Sequence, residues 1–250
     1  MKIKLVIAIS SLLAVGSANA ASVYQNAGTD AWETDGNEKA MDLAFGAGNW
    51  ALNSGYTMTA FTGNGLVYLD GGANNDIALN NFLSSNMAQI QQYVFDGGHL
   101  FLNSAGWNTD VNMGFGGVVA TLQPSYTYAS SVATVNAAGV AAGLTNGGIT
   151  SNYTAYYFSH DIITGGTGLT SFIDGSAGAI LAGMNYGTGY VMFGGQTDPT
   201  FHLPDFDAIT LLANELKYVA APSAVPVPGA VWLFASGLLG LGALRKKAQA

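Results

Sequence analysis

Residues 84–107 read SSNMAQIQQYVFDGGHLFLNSAGW, and they decide the fold class. Met87, Ile90 and Val94 recur at helical spacing and form one apolar face, and Ser84 or Ser85 offers an oxygen able to cap the first turn. Gly97 and Gly98 then end the helix, because glycine takes the left-handed conformation that helix termini need. His99–Asn103 follows as a short apolar strand. Upstream, Leu66-Val67-Tyr68-Leu69 is another apolar run, closed by Asp70-Gly71-Gly72, whose glycines permit a tight turn. Strand, helix and strand in this order and at this length suit a parallel crossover. The expected class is therefore α/β, with a doubly wound, mostly parallel sheet.

Reading outward, Val23–Gln25 makes a short first strand, and Ala40, Met41, Ala44 and Phe45 fall at helical spacing after the acidic stretch from Glu33 to Glu38. Gly114 to Tyr153 is rich in Gly, Ala, Ser and Thr and weakly periodic, so it reads as loops with one strand near Ser131–Val135. Order returns with YTAYYFSHDIITGG at 153–166. Ala179–Ala182 and Gly189–Phe193 then flank Asn185-Tyr186-Gly187-Thr188 as a hairpin or a closely spaced pair. PDFDAITLLANELKYVA at 204–220 is a helix, capped by Asp205 or Asp207, with Ile209, Leu212, Leu216 and Val219 as its buried stripe.

The two ends differ from this body. Lys2 and Lys4 precede the apolar run Leu5–Val15, and Ala18-Asn19-Ala20 is the small-x-small pattern after which signal peptidase cuts, so residues 1–20 are read as a signal peptide that engages the Sec machinery. All fifteen acidic residues lie within 21–221, where the only cations are Lys39 and Lys217; two against fifteen leaves that stretch at −13. Such a charge disfavours nucleic acid and anionic membrane surfaces as partners. The absence of cysteine excludes disulfides, thiolate metal sites and thiol nucleophiles.

At the other end, VPVPGAVWLFASGLLGLGALRKKAQA at 225–250 carries sixteen uncharged residues from Gly229 to Leu244, roughly 24 Å as a helix at about 1.5 Å per residue. Pro226 and Pro228 suit the mouth of such a helix, Trp232 the interface, and Arg245, Lys246 and Lys247 the cytoplasmic side. In their order, Pro226-Val227-Pro228, Val231-Trp232-Leu233-Phe234, Ser236–Leu241 and the basic triplet resemble the PEP-CTERM sorting tail of Gram-negative bacteria, although Val227 stands where the family's namesake Glu would be. The resemblance implies an exosortase partner, removal of the tail at the inner membrane, and delivery to the cell surface or the exopolysaccharide matrix. The expected organisation is a signal peptide at 1–20, an extracytoplasmic α/β domain at 21–221, and a sorting tail at 222–250 with its transmembrane segment at 229–244.

The body resembles the class I glutamine amidotransferase-like folds through LVYLDGG at 66–72, IQQYVFDGGHLFLNSAGW at 90–107, SHDIITG at 159–165 and GYVMFGGQTDP at 189–199. In that family's catalytic members a cysteine nucleophile follows the strand that matches His99–Asn103. Here the residues are Asn103-Ser104-Ala105-Gly106, so amidotransferase chemistry is not supported.

Ser104 is the candidate nucleophile for a rival reading, a secreted hydrolase or carbohydrate-processing enzyme. His160 with Asp161, or His202 with Asp205, would then serve as base and orienter. The Gly-x-Ser-x-Gly elbow is only half present, because Leu102 holds its first glycine position, and the bland reading makes Ser104 a turn residue and His160 part of a structural turn. No cofactor motif is present. Calcium is the one metal considered, through Asp198, Asp205 and Asp207, against the alternative that these carboxylates are simply solvated. Trp32, Trp50 and Trp107 could stack on sugar rings or belong to the core. The sequence thus leads to the expectation of an exported surface or matrix protein with a structural or binding role.

Overall fold

The computed structural model describes residues 22–63, 65–123, 132–154 and 157–221. The expected signal peptide at 1–20, the expected transmembrane segment at 229–244, and Pro226, Pro228, Trp232, Arg245, Lys246 and Lys247 all lie outside them. Among the described residues no helix is long and apolar enough to cross a membrane. In chain order the elements are β1 (Ser22–Asn26), α1 (Gly36–Phe45), β2 (Trp50–Ser54), β3 (Leu66–Asp70), α2 (Asp76–Phe95), β4 (His99–Asn103), β5 (Val111–Gly114), β6 (Val118–Leu122), β7 (Val132–Val135), α3 (Ala137–Ala141), β8 (Asn152–Thr154), β9 (Asp161–Thr164), β10 (Thr170–Gly175), β11 (Gly178–Tyr186), β12 (Gly189–Gly194) and α4 (Asp205–Ala220).

The class is α/β. Nine strands form one sheet in the order β2-β1-β3-β4-β12-β11-β10-β7-β8, and β5-β6-β9 form a smaller one. From β2 to β12 every pairing is parallel, and from β12 outward every pairing is antiparallel. The β3–α2–β4 crossover and the β11–β12 hairpin stand as the sequence predicts.

Strand residues alternate between two cores, as the two-residue period of a strand requires. Leu66, Tyr68, Phe101 and Met192 face α1 and α4, while Val67, Leu69, Leu100, Leu102, Val191 and Phe193 face α2 and the small sheet. These central strands are buried on both sides, which is why they read as continuous apolar runs.

Three local expectations need correction. α2 begins at Asp76, so Ser84 and Ser85 lie inside it, and Ser84 Oγ donates to Asn80 O four residues back at 2.7 Å. At α4 the N-cap position is Pro204; Asp205 and Asp207 are first-turn residues, with Asp205 Oδ1 accepting from Phe206 N and Asp207 Oδ2 from Thr150 N. The span 114–153 contains β6, β7, α3 and β8, where the sequence predicts β7 alone. Gly- and Ala-rich segments bury little side chain, so hydrophobic periodicity is faint in them although the backbone is regular.

Candidate functional site

Open α/β sheets place ligands beyond the carboxyl ends of their parallel strands, and in this molecule that edge holds two polar clusters. The first sits on the α1/α4 side. Asp70 ends β3, and its carboxylate accepts from Asn37 Nδ2 at 2.8 Å, Asn103 Nδ2 at 3.0 Å and Gly72 N at 3.0 Å. Asn103, at the end of β4, also exchanges hydrogen bonds with the Gln196 backbone, and Gln196 Nε2 donates to the Glu215 carboxylate of α4. Asn37 completes the set by donating to Tyr24 Oη and accepting from Tyr68 Oη. Burial pushes Asp70 up to about 6 and Glu215 up to about 8, against the opposing pull of their hydrogen bonds. The space left among these groups is about 10 Å³, room for about one water. The network ties both helices to the sheet and has no room for a substrate.

The second cluster is built on the loop after β4. Ser104 N donates to Gly194 O at 2.9 Å, so its backbone continues the ladder, and its side chain is fully buried with no hydrogen bond to Oγ. Neither Asp161 carboxylate oxygen makes a hydrogen bond, but the carboxyl is near enough for the Ser104 hydroxyl to favour its charged form. Burial drives the Asp161 carboxyl up to about 8, with Ser104 and the Gly106 backbone pulling the other way. His160 turns its Nδ1 to Gly106 O at 3.3 Å, its ring centroid lies 4.0 Å from that of Trp107 and 4.8 Å from that of Trp32, and burial lowers its pKa to about 4.

Ser104, His160 and Asp161 are thus brought to one place but not into the order a triad needs. Asp161 faces the serine rather than orienting the histidine, and its burial disfavours the charge that an orienter must carry. The other candidate base, His202, is buried, bonded through Nε2 to Thr197 Oγ1 at 2.9 Å and stacked on Phe158, while Asp205 lies exposed at the start of α4.

The calcium candidates are not assembled. Asp198 Oδ1 accepts from Thr200 N and Oγ1, Asp205 and Asp207 serve the backbone amides named above, and among the described residues no cluster of three His, Asp or Glu suits a metal. Trp32 and Trp107 meet edge to face at 5.1 Å, whereas Trp50 sits on the edge strand β2 with its indole donating to Asp42 Oδ1.

Two features of this edge escape a reading of the sequence. Asp76 is fully buried and accepts from Asn108 N at 2.6 Å, Asn108 Nδ2 at 2.9 Å and Thr109 N at 3.0 Å, which clamps the loop after β4. Gly106 passes so near this carboxylate that a Cβ there would lie 2.3 Å from Asp76 Oδ2. Trp32 and Glu33 both hold positive φ, at 64° and 56°, a conformation that costs non-glycine residues energy and often marks sites of function. An Asp and a Gly about thirty residues apart carry no sequence signal of their contact.

No family model and no curated protein matches the chain. Among solved structures, a putative GMP synthase component from Thermoplasma acidophilum is similar over 78% of this chain and 94% of its own, with a TM-score of 0.50 at 14% identity. A β-galactosidase from Bacillus circulans sp. alkalophilus matches 82% of this chain with a TM-score of 0.46 at 13% identity, and one from Rahnella sp. R3 matches 84% at 0.46 and 16%. The chain spans about a third of the length of these glycosidases. Likeness at such identity concerns the fold alone.

Proposed function

We propose that this chain is an exported protein of the cell surface or exopolysaccharide matrix, processed by an exosortase, whose α/β domain is a non-catalytic structural or binding module on an amidotransferase-like fold. The observation that carries the non-catalytic part is the sealed state of Ser104. A nucleophile must reach its substrate and hand a proton to a base, and this hydroxyl is 0% exposed with no base bonded to it. Support for the amidotransferase-like assignment is the likeness to the GMP synthase component, together with the position of Ser104 after β4. Support for export and processing is the order of the tail: proline pair, apolar span, basic triplet.

The protein purified from its native host is expected to have an intact mass lacking residues 1–20 and the basic triplet Arg245-Lys246-Lys247. A mature product that keeps the triplet would rule out processing of the tail. The rival hydrolase reading draws on the proximity of Ser104, His160 and Asp161. It requires Ser104→Ala to abolish hydrolysis of ester or glycoside substrates, and on the present reading the parent protein shows none to abolish.

A further inference from the structure

At the far end of β12 from the candidate site, the face of the large sheet that carries α1 and α4 is left partly uncovered by the described residues. Thr170, Gly183, Asn185 and Tyr190 share this face through the pairings Thr170↔Gly183 and Asn185↔Tyr190. α3 is only five residues long, and Ala138 and Ala141, with Ala142 at its C-cap, line the gap with side chains too short to fill it. The last turn of α4 contributes Tyr218. Between them opens a cleft of about 410 Å³, within the ~300–1,000 Å³ of small-ligand sites.

The floor of the cleft is aromatic and held in place. Tyr218 packs edge to face against both Tyr190 at 5.5 Å and Phe172 at 5.4 Å. Tyr190 lies down across Gly183, where a Cβ would stand 2.4 Å from its hydroxyl oxygen, so any larger residue at 183 would lift the ring off the sheet. The rim offers polar groups that are exposed and uncharged, the Thr170 hydroxyl and the Asn185 amide. Among the described residues none that lines the cleft is charged, so an ionic ligand would lose its hydration without gaining a counter-charge. Flat aromatic rings, a hydroxyl and an amide together suit a ligand with apolar ring faces and neutral hydroxyl edges.

We infer that this cleft is a binding site for the pyranose rings of a neutral polysaccharide, with the mutually perpendicular rings of Tyr190 and Tyr218 as its aromatic walls. The inference builds on the domain being a binding module, and it is independent of the tail's fate: the mass measurement can fail while the cleft binds sugar, and the reverse.

The test uses the full chain in a detergent without a sugar headgroup. Cellotetraose, laminaritetraose and maltotetraose are titrated against it, with tetragalacturonate as the charged control, and saturation-transfer NMR reads the contacts. At least one neutral tetraose is expected to bind saturably, and the charged one is not. Ala142→Leu, which fills the cleft from α3, should weaken binding by about tenfold or more with the thermal midpoint unchanged. Tyr218→Ala should weaken binding likewise and also lower the thermal midpoint, because the ring packs on Phe172 and Tyr190, and Tyr218→Phe should do neither, since stacking of this kind is worth about a factor of ten. Failure of all three neutral sugars to bind, equal binding of tetragalacturonate, or binding indifferent to Ala142→Leu would each overturn the assignment.

Discussion

Ser104 and Gly106 stand two residues apart after β4, and their substitutions should behave in opposite ways. The Ser104 hydroxyl is buried without a hydrogen bond, so Ser104→Ala removes a desolvated polar group at little cost in packing. Chemical denaturation should show stability unchanged or raised, by up to about 1 kcal/mol. Gly106→Ala drives a methyl group into the Asp76 carboxylate and should cost about 1–3 kcal/mol, the usual penalty of overpacking. The chemistry at this edge was only half legible in the sequence. A serine after a strand and a histidine in SHDIITG can be picked out by type, but whether their side chains face solvent, each other or an indole depends on segments far apart in the chain.

At the scale of elements, the start of α2 shows how a plausible cap can mislead. Two serines ahead of an apolar face look like an N-terminus, yet the helix begins eight residues earlier, where Asp76 is anchored by backbone amides of the loop after β4. Ser84→Ala distinguishes the two boundaries. A lost cap costs about 1 kcal/mol, whereas an exposed mid-helix serine replaced by alanine should gain a few tenths of a kcal/mol on propensity alone. Thermal or urea unfolding should show the gain. Asp76→Ala leaves buried amide donors unpaired and should cost on the order of 2–4 kcal/mol, read in the same assay. The β3–α2–β4 unit was legible because its apolar face and its strands have different periods; β6 and α3 were not, because alanine and glycine leave no such contrast.

For the whole molecule, buried carboxylates set the response to pH. Burial raises Asp161 and Glu215 to about 8, Glu38 to about 7 with help from the charge of Asp30, and Asp70 to about 6. The folded state therefore binds more protons than the unfolded chain, whose carboxyls titrate near ~4. The stability these groups contribute is complete below that value and is lost as pH rises toward about 8. His160 and His202 act in the opposite sense, because burial lowers them to about 4 and about 3, and their contribution is lost as pH falls below the ordinary histidine range near ~6.5. Above that range only the carboxylates titrate. The urea midpoint should accordingly fall between about pH 6.5 and 8.5, and Glu215→Gln and Asp161→Asn should each flatten the decline. A midpoint that rises over this interval would contradict the assignment of buried, protonated carboxyls.

By itself the sequence determined the α/β class, the central crossover, the hairpin at β11–β12 and the unlike character of the two ends, because each depends on periodicity, turn residues or charge within a few dozen neighbouring positions. Tertiary structure alone decided that Ser104 is sealed, that burial raises the Asp161 carboxyl beside it, that the calcium candidates stay apart, and that among the described residues a short helix lined with alanine leaves aromatic floor uncovered. Those outcomes turn on burial and on contacts across nearly the whole length of the chain, and desolvation acts on a side chain only once such contacts have closed around it.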